Sequence, residues 1–150
     1  MLSLGVVNIN YECAATLDKA FEPWRAIKKG ELSGVEVFIS SCHVCFPETL
    51  ELGFPTVSMD GTMEKLQRLY DEGTIDKFHV YPKATEEQIA WSDRLSGMPE
   101  LDYLCLLGSD EEYTVEEIGK ALRFMEANPL TDYFKLNFKN YMGQTIWNDV

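Results

Sequence analysis

Leu2-Ser3-Leu4-Gly5-Val6-Val7-Asn8-Ile9 and, one helical interval later, Val35-Glu36-Val37-Phe38-Ile39 decide the fold. Both are short apolar runs rich in β-branched residues, the pattern of strands buried on both faces of a sheet. Between them, Ala14 to Lys29 places Leu17, Ala20, Phe21, Trp24 and Ile27 at helical spacing, with Pro23 expected to break or kink the helix. Strand, helix and strand in that order make a β-α-β unit, whose crossover permits parallel strands.

Working outward, Ser40 to Pro55 lapses into a loop containing Cys42, Pro47, Gly53 and Pro55. Asp60-Gly61 opens a helix with Met63, Leu66, Leu69 and Tyr70 as its apolar stripe and Gly73 as the residue just past its end. Lys77 to Tyr81 reads as a short strand. Thr85-Glu86-Glu87-Gln88 has the form of a capping box, so a helix is expected from there towards Gly97. Leu101 to Leu107 is a third strong apolar run. A second box, Thr114-Val115-Glu116-Glu117, precedes Ile118, Leu122 and Met125 on one helical face, ended by Asn128-Pro129. Tyr133 to Lys139 alternates, with Phe134, Leu136 and Phe138 on one side, which predicts a half-exposed strand near a sheet edge. Alternating strands and helices imply an α/β fold, a doubly wound, mostly parallel sheet with helices on both faces, Rossmann-like. In such sheets ligands bind beyond the carboxyl ends of the strands, which directs attention to Asn8–Glu12, Ser40–Pro47 and Gly108–Thr114.

A chain of 150 residues is the size of one domain, and a domain that long buries about 70% of the surface its unfolded form exposes. Residues 1–150 are therefore expected to form a single domain. With 45% hydrophobic and 25% charged residues the composition is globular, against disorder or coiled coil. The net charge of −12 repels phosphate backbones and anionic lipid, so nucleic acid and membrane surfaces are poor partners, and an anionic ligand needs local help. The first residues have no basic segment and read as a strand rather than a signal peptide. No apolar run approaches the ~18 residues of a membrane span. Cys13, Cys42, Cys45 and Cys105 are scattered, suggesting reduced thiols in a cytoplasm.

The third of those places carries the most chemistry. Leu106-Leu107 runs straight into Gly108-Ser109-Asp110-Glu111-Glu112. Carboxylates gathered at a buried strand's end repel one another and are poorly solvated, unless a cation occupies the space between them. A hard divalent ion bridging Asp110 to a diphosphate would relieve that repulsion. The plainer reading is that these acids precede a helix amino terminus, where each is favoured by ~0.3–1 kcal/mol.

Val6-Val7-Asn8-Ile9-Asn10-Tyr11-Glu12 is similar to the first strand of the inverting family 2 glycosyltransferases of the GT-A fold, which ends in a tyrosine, an asparagine and an acid before a helix. Leu106 to Glu111, followed by Tyr113 to Ile118, resembles their strand, Asp-x-Asp element and following helix, and Gly61-Thr62 and Lys135 to Tyr141 fall where such a chain places them. The resemblance implies a GT-A-like domain binding a nucleotide diphosphate sugar for inverting transfer to an unknown acceptor. It places Asn10, Tyr11 and Glu12 near the nucleoside, with Ser40, Ser41 and Ser109 as further substrate-binding residues and Asp110 and Glu111 holding Mg²⁺ or Mn²⁺. Two departures stand out: Ser40-Ser41 replaces the aspartates that usually end the second strand, and Gly108 replaces the first acid of Asp-x-Asp. Family members continue well beyond the metal strand, so the catalytic base is expected outside these residues, with this chain the amino-terminal part of a longer protein, or else to be missing from a domain that binds without transferring. Asp149 is not assigned that role.

Other signals weigh less. Cys42-His43-Val44-Cys45 lacks the second ligand pair of a zinc site, and nothing in the sequence brings a cysteine nucleophile to His43 or His79. Trp24 and Trp91 fall on helical stripes and read as core, whereas Trp147 has no evident place. Single glycines at 61 and 108 do not make a phosphate-binding loop. Lys28 and Lys29 suit a helix carboxyl end. Besides the active transferase, a non-catalytic nucleotide-sugar-binding or interaction domain and an unrelated doubly wound α/β protein remain open.

Overall fold

Four parallel strands form the central sheet of the computed structural model, which describes residues 1–132, 139–142 and 145–148. They are β1 (Leu2–Asn10), β2 (Val35–His43), β3 (Lys77–Val80) and β4 (Tyr103–Leu107), in the spatial order β3-β2-β1-β4. Helix α1 (Ala14–Lys28) links β1 to β2, α2 (Pro47–Glu51) and α3 (Thr62–Asp71) lie between β2 and β3, and α4 (Glu87–Ser96) precedes β4. The expected Rossmann-like α/β architecture is therefore present.

Pleating and register sort the side chains. Val6, Asn8 and Asn10 share a face with Ile39, Ser41 and His43, while Val7 and Ile9 share the other with Ser40 and Cys42. Right-handed crossovers put α1 and α3 on the first face, and α4, after the chain reverses direction across the sheet, on the second. Ala90 of α4 accordingly packs in one cluster with Cys42, Val44, Tyr81 and Ile9. On the first face Leu17, Phe21, Trp24 and Ile27 of α1 and Leu66 and Leu69 of α3 are almost wholly buried, with Val6, Ile39 and Leu107. Each such side chain contributes about 1.5–3 kcal/mol. Gly5 sits under the tips of three side chains: a Cβ there would lie 2.5 Å from Leu101 Cδ1, 2.6 Å from Met98 Cε and 2.7 Å from Leu104 Cδ2, so these flexible ends would have to shift.

Several expectations need correction. Helix α1 runs through Pro23, which is buried among its stripe residues, so packing outweighs the hydrogen bond that proline removes. Strand β2 continues through Ser40 to His43, because pairing with β1 and β3 satisfies a polar segment that reads as loop. Thr85 does not cap α4: its hydroxyl donates to Lys83 O, and Glu86 is the cap residue. Trp91 is half-buried, with Nε1 donating to Glu87 Oε1 at 3.1 Å. Lys28 does more than face a helix dipole, since it pairs with Asp76 at 2.5 Å and donates to Gly73 O at 3.2 Å. Gly73 closes α3 with φ 79° as expected.

The chain divides into two compact units, Met1–Val115 and Glu116–Val150. The second holds nearly all of α5 (Val115–Ala127), with Ile118 and Leu122 buried, and an antiparallel hairpin of β5 (Lys139–Met142) and β6 (Thr145–Asn148). The alternating strand expected over Tyr133–Lys139 lies, but for its last residue, outside the described residues, as do Asp149 and the side chain of Trp147. Among the described residues no helix is long and apolar enough to cross a membrane.

Candidate functional site

After β1 the chain moves outward through β2 to β3, then returns to place β4 on the other side of β1. At such a reversal the loops leaving adjacent strands part in opposite directions and open a crevice. Here the reversal falls between Asn10-Tyr11-Glu12, leaving β1, and Gly108-Ser109-Asp110, leaving β4, which marks the expected crevice.

Buried amides join the two sides. Asn8 Nδ2 donates across to Leu107 O at 2.9 Å. Asn10, 2% exposed, presents Nδ2 to Asn8 Oδ1 at 2.5 Å, Ser41 Oγ at 2.9 Å and Cys42 O at 2.9 Å. Its Oδ1 accepts from Ser109 Oγ at 2.7 Å, a hydroxyl also 3.0 Å from Ile9 O. One asparagine thus joins the ends of β1 and β2 to the β4 turn. Ser41 completes the network by donating to Asn8 Oδ1 at 2.8 Å. Ser40 is not brought to this group: it lies on the opposite face, its buried hydroxyl without a partner among the described residues.

The segment leading into α3 clamps the segment leading into α1. Tyr11 OH donates to Pro55 O at 2.5 Å, and Met59 N–H donates to Glu12 Oε1 at 2.6 Å. The N–H groups of Glu12, Cys13 and Ala14 donate in turn to Ser58 Oγ (2.9 Å), Thr62 Oγ1 (2.8 Å) and Asp60 Oδ2 (2.9 Å). Asp60 Oδ1 also accepts from Thr62 N at 3.0 Å and Thr62 Oγ1 at 2.6 Å, so one carboxylate serves two helix starts. Desolvation pushes the Asp60 carboxyl up, but the hydrogen bonds from Thr62 and Ala14 outweigh it and hold the group below its ordinary range. Glu12 is the one non-glycine with positive φ (46°) among the described residues, and its backbone turn delivers these three N–H groups to the clamp. In doubly wound folds the start of this first helix commonly cradles phosphate. Here Asp60 occupies that place.

Behind the clamp sits His43, fully buried, with its ring 5.7 Å from that of Tyr11. Nε2 accepts from Ser58 N at 3.1 Å and lies 2.8 Å from Ser58 Oγ. Burial holds the imidazole below its ordinary value against the opposing pull of Glu12 and Asp60. Cys42 points to the opposite face from His43, and all four cysteines are free thiols.

Across the crevice, the two acids of the β4 turn differ. Glu111 folds back, its Oε2 accepting from Gly108 N at 3.0 Å and from Tyr113 OH at 3.2 Å. Asp110 is exposed. Among the described residues no group of three His, Cys, Asp or Glu is placed to hold a metal. Asp110 fits the sparser arrangement usual for Mg²⁺, one carboxylate completed by water and phosphate oxygens. Glu111 fits as a brace of the turn, and could join a metal only by releasing Gly108 and Tyr113.

The structure thus groups Asn10, Ser41 and Ser109, sets Tyr11 and Glu12 against the clamp, and leaves Asp110 facing solvent. Sequence reading did not assign Asn8, His43, Ser58, Asp60 or Thr62 to the site, although Asn8 and His43 fall in the strand-end stretches it marked. Asn8, a polar residue inside an apolar strand, was a legible signal, whereas the others act through contacts that no local spacing encodes.

No family model and no curated protein matches the chain. Two solved structures of TarS from S. aureus, a glycosyltransferase, share the fold. One, of residues 1–349, superposes with TM-score 0.59 at 12% identity over 84% of this chain and 33% of that one. The other gives TM-score 0.59 at 12% identity over 85% of this chain and 20% of that one. This chain therefore spans a third or less of the TarS chains it matches, and what the likeness shows is a shared α/β fold.

Proposed function

We propose that this chain is a donor-binding domain that takes a nucleoside diphosphate sugar in the crevice between β1 and β4, with Asp110 facing a divalent Mg²⁺ or Mn²⁺. The observation that carries the reading is the coincidence, in a glycosyltransferase-like fold, of the chain-reversal crevice with an outward acid on one wall and an amide-braced loop on the other. The occupied start of α1 supports it. With Asp60 already seated there, a diphosphate gains nothing from that helix and requires a cation instead. The metal would supply charge neutralisation of the diphosphate. Asn10 and Ser109 hold the two walls in register, Glu111 braces the turn that presents Asp110, and Tyr11 and Glu12 line the nucleoside side.

For a working enzyme, transfer would be a single displacement with inversion, assisted by an acidic residue acting as base. A second reading, a domain that binds the donor without transferring it, is favoured by Gly108 in place of an acid and by the inward turn of Glu111. Thermal unfolding with uridine, guanosine, thymidine and cytidine diphosphates and their sugars, with and without Mn²⁺, tests the shared premise. A ligand at ~100 times its Kd adds ~2.7 kcal/mol, which raises Tm by roughly 5–10 °C for a domain of this size. The expected outcome is a metal-dependent rise with one nucleotide, lost in Asp110→Ala; no rise with any nucleotide refutes the proposal. Donor turnover by the protein then separates the two readings.

A further inference from the structure

Behind the clamp over the start of α1, His43 meets Ser58 through a hydrogen bond in which the backbone amide is the donor. The N–H of Ser58 can only donate, so its bond to His43 Nε2 at 3.1 Å calls for a lone pair there and places the neutral ring's proton on Nδ1, a buried atom without a partner among the described residues. Ser58 Oγ, 2.8 Å from the same nitrogen, meanwhile accepts from Glu12 N–H. A proton on Nε2 would set donor against donor at the Ser58 amide. The hydroxyl could still accept it, but the amide would have to turn away and draw the neighbouring Met59 N–H off the Glu12 carboxylate.

We propose that His43 is a pH-sensitive latch: neutral, it holds residues 55–60 against the start of α1, and protonated, it releases them and opens the β1 wall of the crevice. Among the described residues the charged groups that act on the imidazole are Glu12, from the β1–α1 connection, and Asp60, from the α2–α3 connection. Tyr11 lies against the ring, and the lateral neighbours in the sheet, Asn10 and Val80, carry no charge. Burial opposes the proton and outweighs the two carboxylates that favour it, so the closed form persists at neutral pH and the proton is taken up only below the ordinary imidazole range. The latch stands on the geometry of the loop itself and holds whichever ligand the crevice takes.

The test is a pH titration of the full chain followed through its amide and imidazole nitrogens by nuclear magnetic resonance. The Nδ1–H tautomer is expected for His43 at pH 7.5. Between pH 8 and 5 the amides of Glu12, Ser58 and Met59 should move with the His43 resonance, while those of Val6 and Ile39 in the sheet hold still. If the released imidazole has its ordinary value near 6.5, opening at the Ser58 amide, read by hydrogen exchange, should grow about tenfold by pH 5.5. In His43→Gln, whose amide oxygen accepts without titrating, the loop amides should stay fixed. His79→Gln, removing the other of the two histidines, should leave the transition intact. An Nε2–H tautomer at neutral pH, loop amides that do not titrate, sheet amides that move with them, or the same transition in His43→Gln would each overturn the latch. The tautomer and the wild-type titration decide it even if His43→Gln does not fold.

Discussion

At the scale of single residues, the site rests on side chains that are polar, buried and satisfied. Asn10 is the clearest case, because its two ends need opposite chemistry: three acceptors surround Nδ2 and a donating hydroxyl meets Oδ1. Asn10→Ala deletes both ends and leaves acceptors short of donors, a loss of about 1–3 kcal/mol. Asn10→Asp keeps the shape but turns a second oxygen, with a charge, into that ring of acceptors, so it should cost more than the alanine despite being isosteric. Urea unfolding of the two variants measures the order, and a milder loss for the aspartate would mean that Nδ2 is not what the acceptors hold. That polar residues interrupt the apolar first strand was legible in the sequence, and the strand-end rule directed attention to the same stretch. Ser40 and Ser41 show where legibility ended. Side by side in sequence they look interchangeable as ligands, yet the pleat sends one to the amide network and the other to the opposite face, and only the register with β1 decides which.

At the scale of elements, the decisive device is one carboxylate shared by two helix starts. Asp60 accepts from Ala14 N–H at the start of α1 and from Thr62 N–H at the start of α3. Each lost cap costs about 0.5–2 kcal/mol, so Asp60→Ala should destabilise by roughly twice the effect of an ordinary cap removal. The pH dependence has a definite sign. The folded carboxyl titrates below its unfolded value, so its contribution is complete above about pH 3.9 and is lost as pH falls through the depressed folded value. Asp60→Asn, which can still accept, should lose less stability at pH 7 than the alanine and should show a shallower fall between pH 4 and 2. Unfolding curves at stepped pH check this, and an unchanged acid slope would mean that Asp60 is not the titrating cap. Apolar periodicity located the four strands of the parallel sheet and most of the helices, because burial dominates where elements form. Their ends escaped it. The sequence placed Asp60 at a helix start but gave no sign of its second helix 46 residues earlier, and Thr85, with the right neighbours for a capping box, turned to Lys83 instead.

At the scale of the whole molecule, charge sets how the crevice can work. A net charge of −12 surrounds any approaching anion with a repulsive field, reinforced at the site by Glu12, Asp60 and Asp110. A free nucleoside diphosphate sugar is repelled by that field, whereas its complex with a divalent ion has lost most of its charge and is nearly indifferent to it. The two therefore respond differently to salt. Raising ionic strength from about 0.01 to 0.15 M shortens the screening length from ~30 to ~8 Å, which weakens long-range repulsion while leaving contacts intact. Without divalent ions, nucleotide affinity should rise with added sodium chloride, the reverse of ordinary phosphate binding by a basic protein. With Mn²⁺ present the affinity should be higher and nearly flat over the same range. Calorimetric titration of the nucleotide identified by thermal shift, at stepped salt with and without Mn²⁺, gives both slopes. A metal-free affinity that falls with salt would mean that the anion contacts a local cationic group, and would move the diphosphate away from Asp110.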